Sequence, residues 1–236
     1  MMLDRTIHGA DAPPPAHFPR AQPAYPRRPG TRLVAAGAPL FVEGLRRGET
    51  ARIVDGGACL YRQMADGGRQ ILDVLGPGRL VGPFLTDLSQ CNVMTLAPTR
   101  LAAVAADEEA QAVAEATRLM LSRAQSHALL LRGNAVSGRV AACLLDLAEQ
   151  FAGGPTGEAR AEEAATFTLH LTRADLADWL GLTLTSVSRG LNAFKRAGLI
   201  AFDHPKVITI GDRAALEALA RGGAVPARRR QKPAPG

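Results

Sequence analysis

The stretch LTRADLADWLGLTLTSVSRGLNAFKRAGLI, Leu171 to Ile200, sets two apolar stripes at helical spacing on either side of Gly181. Few folds accommodate that pattern. Leu176, Ala177 and Leu180 form the inward face of a short first helix, and Val187, Leu191 and Phe194 that of a second. Thr172 is a good N-cap, and Asp175 three residues on makes an approximate capping box. Gly181 supplies the turn, Thr183 caps the second helix, and Ala177 is small where the two approach. This is the logic of a helix-turn-helix.

The flanks extend the motif. TFTLHL (Thr166 to Leu171) alternates like a short strand. In AGLIAFDHPKVITIGD, Gly198 ends the helix, LIAF and KVITI are predicted to pair across a polar turn, and Asp212 caps a last helix, Arg213 to Ala220. That hairpin resembles the wing of a winged helix.

With Val187, Leu191 and Phe194 inward, Leu184, Thr185, Ser188, Arg189 and Asn192 lie on or near the outer surface. A recognition helix presents its N-terminal part to base edges in the major groove. Arginine there makes two parallel hydrogen bonds to guanine O6 and N7. Ser188 and Thr185 are short enough to reach a phosphate or a base without propping the helix away, and Thr183 sits at the same end. Lys195, Arg196, Arg173 and Lys206 suit phosphate contacts. An isolated arginine is usually a solvated charge. Here capped helices, wing and polar face coincide, which favours base readout by Arg189.

From Pro39 to Val104 the chain changes character. PLFVEG, TARIVDG, ACLYRQM, RQILDVL and NVMTLA are separated by glycine-bearing breaks, with MADGGRQ a strong hairpin signal. A small antiparallel barrel or roll is expected. Asp107 then opens a long helix reaching roughly Ala135, in which Val113, Met120, Ala124, Ala128, Leu131 and Ala135 form a narrow stripe suited to a partner helix. That stripe predicts a twofold seam, with His127 in the seam or on the surface. A second helix runs from Gly138 to Phe151, followed by the connector AGGPTGEARAEEA. The expected fold class is α+β: an N-terminal antiparallel β-roll (a cyclic-nucleotide-binding-like jelly roll), a long dimerisation helix and a C-terminal winged helix-turn-helix. The expected division is 1–30 as a disordered proline-rich arm, 31–106 as roll, 107–137 as dimerisation helix, 138–220 as DNA-binding domain and 221–236 as a basic disordered tail.

The formal charge of +6 fits a polyanionic partner, although the tail supplies part of it. Three scattered cysteines form neither a disulfide framework nor a metal-ligand pattern. There is no signal-peptide pattern and no run of membrane-spanning length, so a cytoplasmic protein without membrane contact is expected. No nucleophile elbow, phosphate loop or paired acid/base motif marks an enzyme, and Asp73 and Asp87 read as turn or surface residues.

The order of roll, long helix and winged helix-turn-helix over about residues 38 to 220 resembles the CRP/FNR family of bacterial transcription regulators. IVDGGACLYRQMADGGRQILDVLGPGRLVGP looks like the family's roll, including the G-x-x-x-G turn at Gly78 and Gly82. RAQSHALLLRGNAVSGRVAACLLDLAEQF and LADWLGLTLTSVSRGLNAFKRAGLI resemble the dimerisation and recognition segments of the FNR and FixK branch. The resemblance implies a homodimer on a palindromic operator of double-stranded DNA, with RNA polymerase as a partner. The branch reads its half-site with E-x-x-S-R; Ser188 and Arg189 match, whereas Thr185 stands at the glutamate position.

The resemblance also bears on ligands. The cAMP-binding branch carries a glutamate after G-x-x-x-G and an arginine–serine pair further on; here Pro83 and Ser89–Gln90 stand there, so no cyclic nucleotide is expected. Four cluster cysteines are lacking, and His8, His17, His127, His170 and His204 form no haem-ligand arrangement, so no cofactor is expected. Cys59 and Cys143 read as packing, and Cys91, in the loop replacing the phosphate-binding segment, is the candidate redox residue. A FixK-like regulator without a bound cofactor, acting on microoxic, nitrogen-oxide or redox-related genes, is the implied function. The alternative is an effector-gated regulator whose roll binds a small molecule or whose cysteine senses oxidants.

Overall fold

The computed structural model describes residues 30–43, 48–85, 91–133, 135–152, 165–204 and 206–225. The proline-rich arm up to residue 29, the connector over 153–164, the run ARRRQK, Asp87 and Ser89–Gln90 lie outside the described residues.

Short strands broken by turns build the N-terminal part: β1 (Thr31–Val34), β2 (Pro39–Phe41), β3 (Ala51–Asp55), β4 (Ala58–Gln63), β5 (Arg69–Leu75), β6 (Leu80–Val81), β7 (Asn92–Thr95) and β8 (Thr99–Ala103). They form two antiparallel sheets, ordered β1-β8-β3-β6 and β2-β7-β4-β5. In the MADGGRQ hairpin joining β4 to β5, the Gly68 amide donates to Asp66 Oδ1 at 2.9 Å, the side-chain turn that Asp-Gly favours. Phe41, Ile53, Leu60, Leu75, Val93 and Leu101 fill the space between the sheets.

Strand β4 is buried on both faces. Ala58 and Leu60 enter the roll's interior, while the alternate residues Cys59 and Tyr61 belong to a second core shared with the C-terminal helices. From β5, Leu75 joins the first core and Ile71 and Val74 the second. The sheet is therefore a party wall, and the two halves of the chain meet through apolar surface.

Helix α1 (Glu109–Gly133) follows the roll and α2 (Val136–Phe151) follows it, with Ala135 in an extended conformation as the N-cap of α2. The structure ends the long helix, expected to reach roughly Ala135, at Gly133. It also splits the expected seam stripe. Met120 packs against the roll core and Val113 and Leu131 are half-buried, whereas Ala124 and Ala128 are exposed. Leu121 and Leu129 are 60% and 73% exposed, so the large uncovered apolar side chains of α1 are not those of the predicted stripe.

Charged groups clamp the junction. Arg123 on α1 pairs with Asp73 on β5 at 2.7 Å and with Asp146 on α2 at 2.6 Å, and Arg79 adds a second bridge to Asp73 at 2.8 Å. Asp73 is thus a buried, doubly paired group and not the turn or surface residue expected. Its strand face is covered by α1 and α2, and a carboxylate tolerates that only when paired. His127 is half-buried and stacks on Trp179, ring centroids 6.0 Å apart and planes 13° apart. Cys59 and Cys143 are buried in the shared core. Cys91, the candidate redox residue, lies directly ahead of β7 and is fully buried inside the roll, so its thiol is not accessible.

Replacing Arg123 by alanine leaves Asp73 and Asp146 without their common counter-charge and should destabilise the chain by about 2–3 kcal/mol, roughly 4–12 °C in melting temperature. Arg118→Ala, at an exposed position of the same helix, should cost about 0.5 kcal/mol or less. Equal melting temperatures for the two variants would contradict the clamp. Burial pushes the Cys59 thiol up to about 12 and raises Cys143 well above the usual thiol range. Near pH 8, roughly one Cys59 in ten thousand is thiolate. A colorimetric disulfide reagent should therefore label no cysteine promptly in the native protein and all three after unfolding; a fast-reacting native thiol would refute the burial argument.

Candidate nucleic-acid interface

Helix α3 (Arg173–Leu180) starts at Thr172, whose hydroxyl accepts from the Asp175 amide at 3.1 Å while Asp175 Oδ2 accepts from the Thr172 amide at 2.7 Å. The predicted capping box is present. Gly181 follows with φ +59°, a left-handed cap that a side chain would strain, and the Leu182 amide donates back to the Ala177 carbonyl. Thr183 caps α4 (Leu184–Ala197), accepting from the Ser186 amide at 3.1 Å and donating to the Ser186 hydroxyl at 2.9 Å. The Thr183 hydroxyl is thus occupied in holding the helix start.

Val187, Leu191 and Phe194 are fully buried under α4. Gly190, which the sequence did not single out, matters beside them: a Cβ there would stand 3.4 Å from Val140 Cγ2, so glycine lets α4 lie close on α2. The wing consists of β10 (Ile200–His204) and β11 (Val207–Ile210), with β9 (Thr166–Thr168) added on the far side of β11. Asp212 accepts from the Ala215 amide at 2.9 Å and caps α5 (Arg213–Ala220), as expected.

On the open side of α4, Leu184 is 53% exposed, and Thr185, Arg189 and Asn192 are exposed as well. Ser188 is half-buried, and its hydroxyl accepts from Arg173 Nη1 of α3 at 3.4 Å. The serine is therefore tied to the first helix and oriented by it. Arg196 is exposed near the helix end; Lys195 Nζ stands 5.9 Å from the Phe202 ring centroid, packed over the wing. Lys206 is exposed where β10 returns into β11. Polar and cationic groups from α3, α4 and the wing so lie on the face opposite the core, a surface able to meet both phosphates and base edges.

The mount of this surface was not read from the sequence. Arg69 on β5 pairs with Asp175, the capping-box carboxylate, and with Asp178 at 3.2 Å, and Gln70 Nε2 donates to the Asp178 carbonyl. Burial works against the Arg69 charge, but the two carboxylates outweigh it and raise its pKa above the ordinary arginine value. An arginine at the start of a strand beside the hairpin turn was the available signal, but its partners lie more than a hundred residues away.

An iron–sulfur cluster of the FNR type does not fit these residues. It needs four thiolates, and the three cysteines are buried in two separate cores. Among the described residues, no three His, Cys, Asp or Glu side chains gather to hold a metal ion, and no helix is long and apolar enough to cross a membrane. Pro83 brings no carboxylate to the G-x-x-x-G turn of the roll.

Comparison with known proteins gives these observations a lineage. Residues 31–125 match the cyclic nucleotide-binding domain family and residues 138–219 the Crp-like helix-turn-helix domain family. The nitrogen fixation regulation protein FixK of Rhizobium meliloti (strain 1021) is 30% identical over 196 residues, covering 80% of this chain and 88% of that protein. The transcriptional activator protein FnrL of Cereibacter sphaeroides is 31% identical over 196 residues, with 78% of each chain covered. Among solved structures, FixK2 from Bradyrhizobium japonicum superposes with a TM-score of 0.67 at 25% identity, over 83% of this chain and 98% of that one. A β-roll on a winged helix-turn-helix, matched along both halves to regulators of this kind, makes the chain a member of the CRP/FNR family of DNA-binding transcription regulators, on its FixK-like branch.

Proposed function

We propose that the chain works as a twofold homodimer that inserts α4 of each protomer into successive major grooves of a palindromic operator, about 34–36 Å apart. The observation that carries this reading is the exposed polar face of α4, held rigidly by three fully buried apolar residues and a capped start. Arg189 reads a guanine through O6 and N7, and Ser188 and Thr185 touch the adjoining pair. Leu184 makes apolar contact, and Asn192 borders the same groove. Arg173, Lys195, Arg196 and Lys206 meet phosphates, and Thr183 presents the helix start. The roll over 31–106 serves as the sensor-like domain, 107–137 as the pairing segment and 138–220 as the reader. Exposed Leu121, Ala124 and Ala128 on α1 support pairing with a second copy. The regulator needs no resident cofactor, engages RNA polymerase at its promoters and acts in the cytoplasm. The FixK and FnrL relatives favour genes of nitrogen fixation or low-oxygen metabolism as targets.

Thr185 sets the expected departure. Glutamate accepts from cytosine N4, whereas threonine is shorter and uncharged. Binding-site selection should return a half-site that keeps the guanine contacted by Arg189 but is relaxed or altered at the neighbouring pair; a strict FNR-type TTGAT box would refute this. Arg189→Ala should weaken operator binding by about 1–3 kcal/mol, roughly 5- to 150-fold, and relax the preference at that one position. A folded, dimeric Arg189→Ala protein that binds as tightly and selectively as the parent would overturn the reading.

A further inference from the structure

Arg69 stands where the two halves of the chain meet, and the hairpin that carries it is braced. Gln63 Nε2 donates to the carbonyls of Gly67 and Gly68 at 2.9 and 3.0 Å, and the Met64 amide donates to the Gly68 carbonyl at 2.9 Å. The guanidinium carbon of Arg69 lies 5.7 Å from the Tyr61 ring centroid, and Nη1 donates to Met94 Sδ at 3.8 Å. The rest of the fork turns to α3. Nη2 donates to Asp175 and, at 3.2 Å, to Asp178, which Nε also reaches at 3.4 Å. The two carboxylates are three residues apart and so share one helix face.

These pairs add little to stability, because water reaches all three side chains, 13–35% exposed, and screens the attraction. What they supply is geometry. Helix α3 has eight residues, too few to hold its course without its surroundings. A planar donor fork facing two carboxylates fixes both the height of α3 above the sheet and its rotation. Helix α4 follows α3, since the Leu182 amide returns to the Ala177 carbonyl and Leu176 and Leu180 share a core with Val187 and Leu191.

We propose that Arg69 is a positioning residue for operator recognition: it touches no DNA, yet it locks the helix-turn-helix at one setting on the roll and so makes the two-subunit protein selective for the spacing between half-sites. This rests on the dimeric DNA-binding reading above. One base pair added to or removed from the spacer moves a half-site by about 3.4 Å and turns it by about 34° around the DNA axis. A reader locked to its roll cannot follow that change, whereas a released one samples settings that can.

Arg69→Gln keeps most of the side chain and removes its charge. Arg100→Ala, which takes an exposed arginine from the roll's other sheet, controls for net charge. Each full-length protein is titrated with the operator obtained by binding-site selection and with copies one base pair longer or shorter in the spacer. The parent and Arg100→Ala should prefer the correct spacing by about tenfold or more. In Arg69→Gln that ratio should fall to about threefold or less, with weaker binding to the correct operator and an unchanged salt slope. Asp178→Asn removes one arm of the pairing and leaves the bond from Gln70 to the Asp178 main chain in place. It should move the ratio in the same direction, and it carries the test if Arg69→Gln does not fold. An unchanged spacing ratio in the folded variants overturns the proposal. A salt slope reduced by about one does so too, since it would make Arg69 a phosphate contact. A parent protein without any spacing preference refutes the twofold reading instead. Acrylamide quenching of Trp179, the one tryptophan, then still decides the lock: releasing α3 should raise the quenching rate in Arg69→Gln, and an unchanged rate overturns it.

Discussion

The hairpin β4–β5 is buried on both faces, and everything above it depends on that. A sheet of a small roll has one face to its own interior and another to water. Here Cys59, Tyr61, Ile71 and Val74 turn the second face into the floor of the C-terminal core, which continues through Leu144, Leu147, Trp179 and Leu191 to Leu216 on α5. Apolar contact of this kind has no direction, so alone it would let the reader domain slide. Direction comes from the charges at the border: Arg69 to Asp175 and Asp178, and Arg123 to Asp73 and Asp146.

Asp175 shows how these layers are tied together. One oxygen closes the capping box of α3 with the Thr172 amide and the other meets Arg69 of the roll. The start of α3 is therefore fixed locally and from the roll. Arg173, the next residue inside that helix start, donates to Ser188 on α4. A chain of three polar contacts runs from the hairpin of the roll to the face that bears Arg189. It supports positional precision at the DNA surface, which a recognition helix needs because a bidentate contact tolerates little displacement.

How much of this was legible in the sequence depended on range. The helix-turn-helix was readable because each of its determinants is local: Thr172 with Asp175, Gly181, Thr183, and the spacing of Val187, Leu191 and Phe194. The wing and the roll strands β2, β3, β4, β5 and β7 were readable for the same reason, through alternation and turn residues, whereas β1, β6 and β8 were not singled out. The reading of Asp73 failed because the deciding partner was distant. Asp73 looked like a surface acid because nothing near it in sequence shows that Arg123 lies fifty residues on. The stacking of His127 on Trp179 was hidden for the same reason, since the two lie fifty-two residues apart in the sequence. The burial of Cys91 was not legible either: β7 begins directly after it and draws it into the roll. The run ACLY did carry a signal for double burial, being apolar without alternation, as strands covered on both faces are.

The apolar pattern of α1 was ambiguous for a related reason. A helix with one apolar face on its own roll and further apolar side chains exposed carries two stripes, and a single period cannot separate them. Met120 belongs to the inner stripe and Leu121, one residue on, to the outer. The same helix also carries Arg123 and His127 at the junction, so the placement of the reader depends on it. A displacement of α1 at the junction is felt by α2 through Asp146 and by α3 through Trp179. Cores packed to near-crystalline density switch between discrete arrangements and do not deform smoothly.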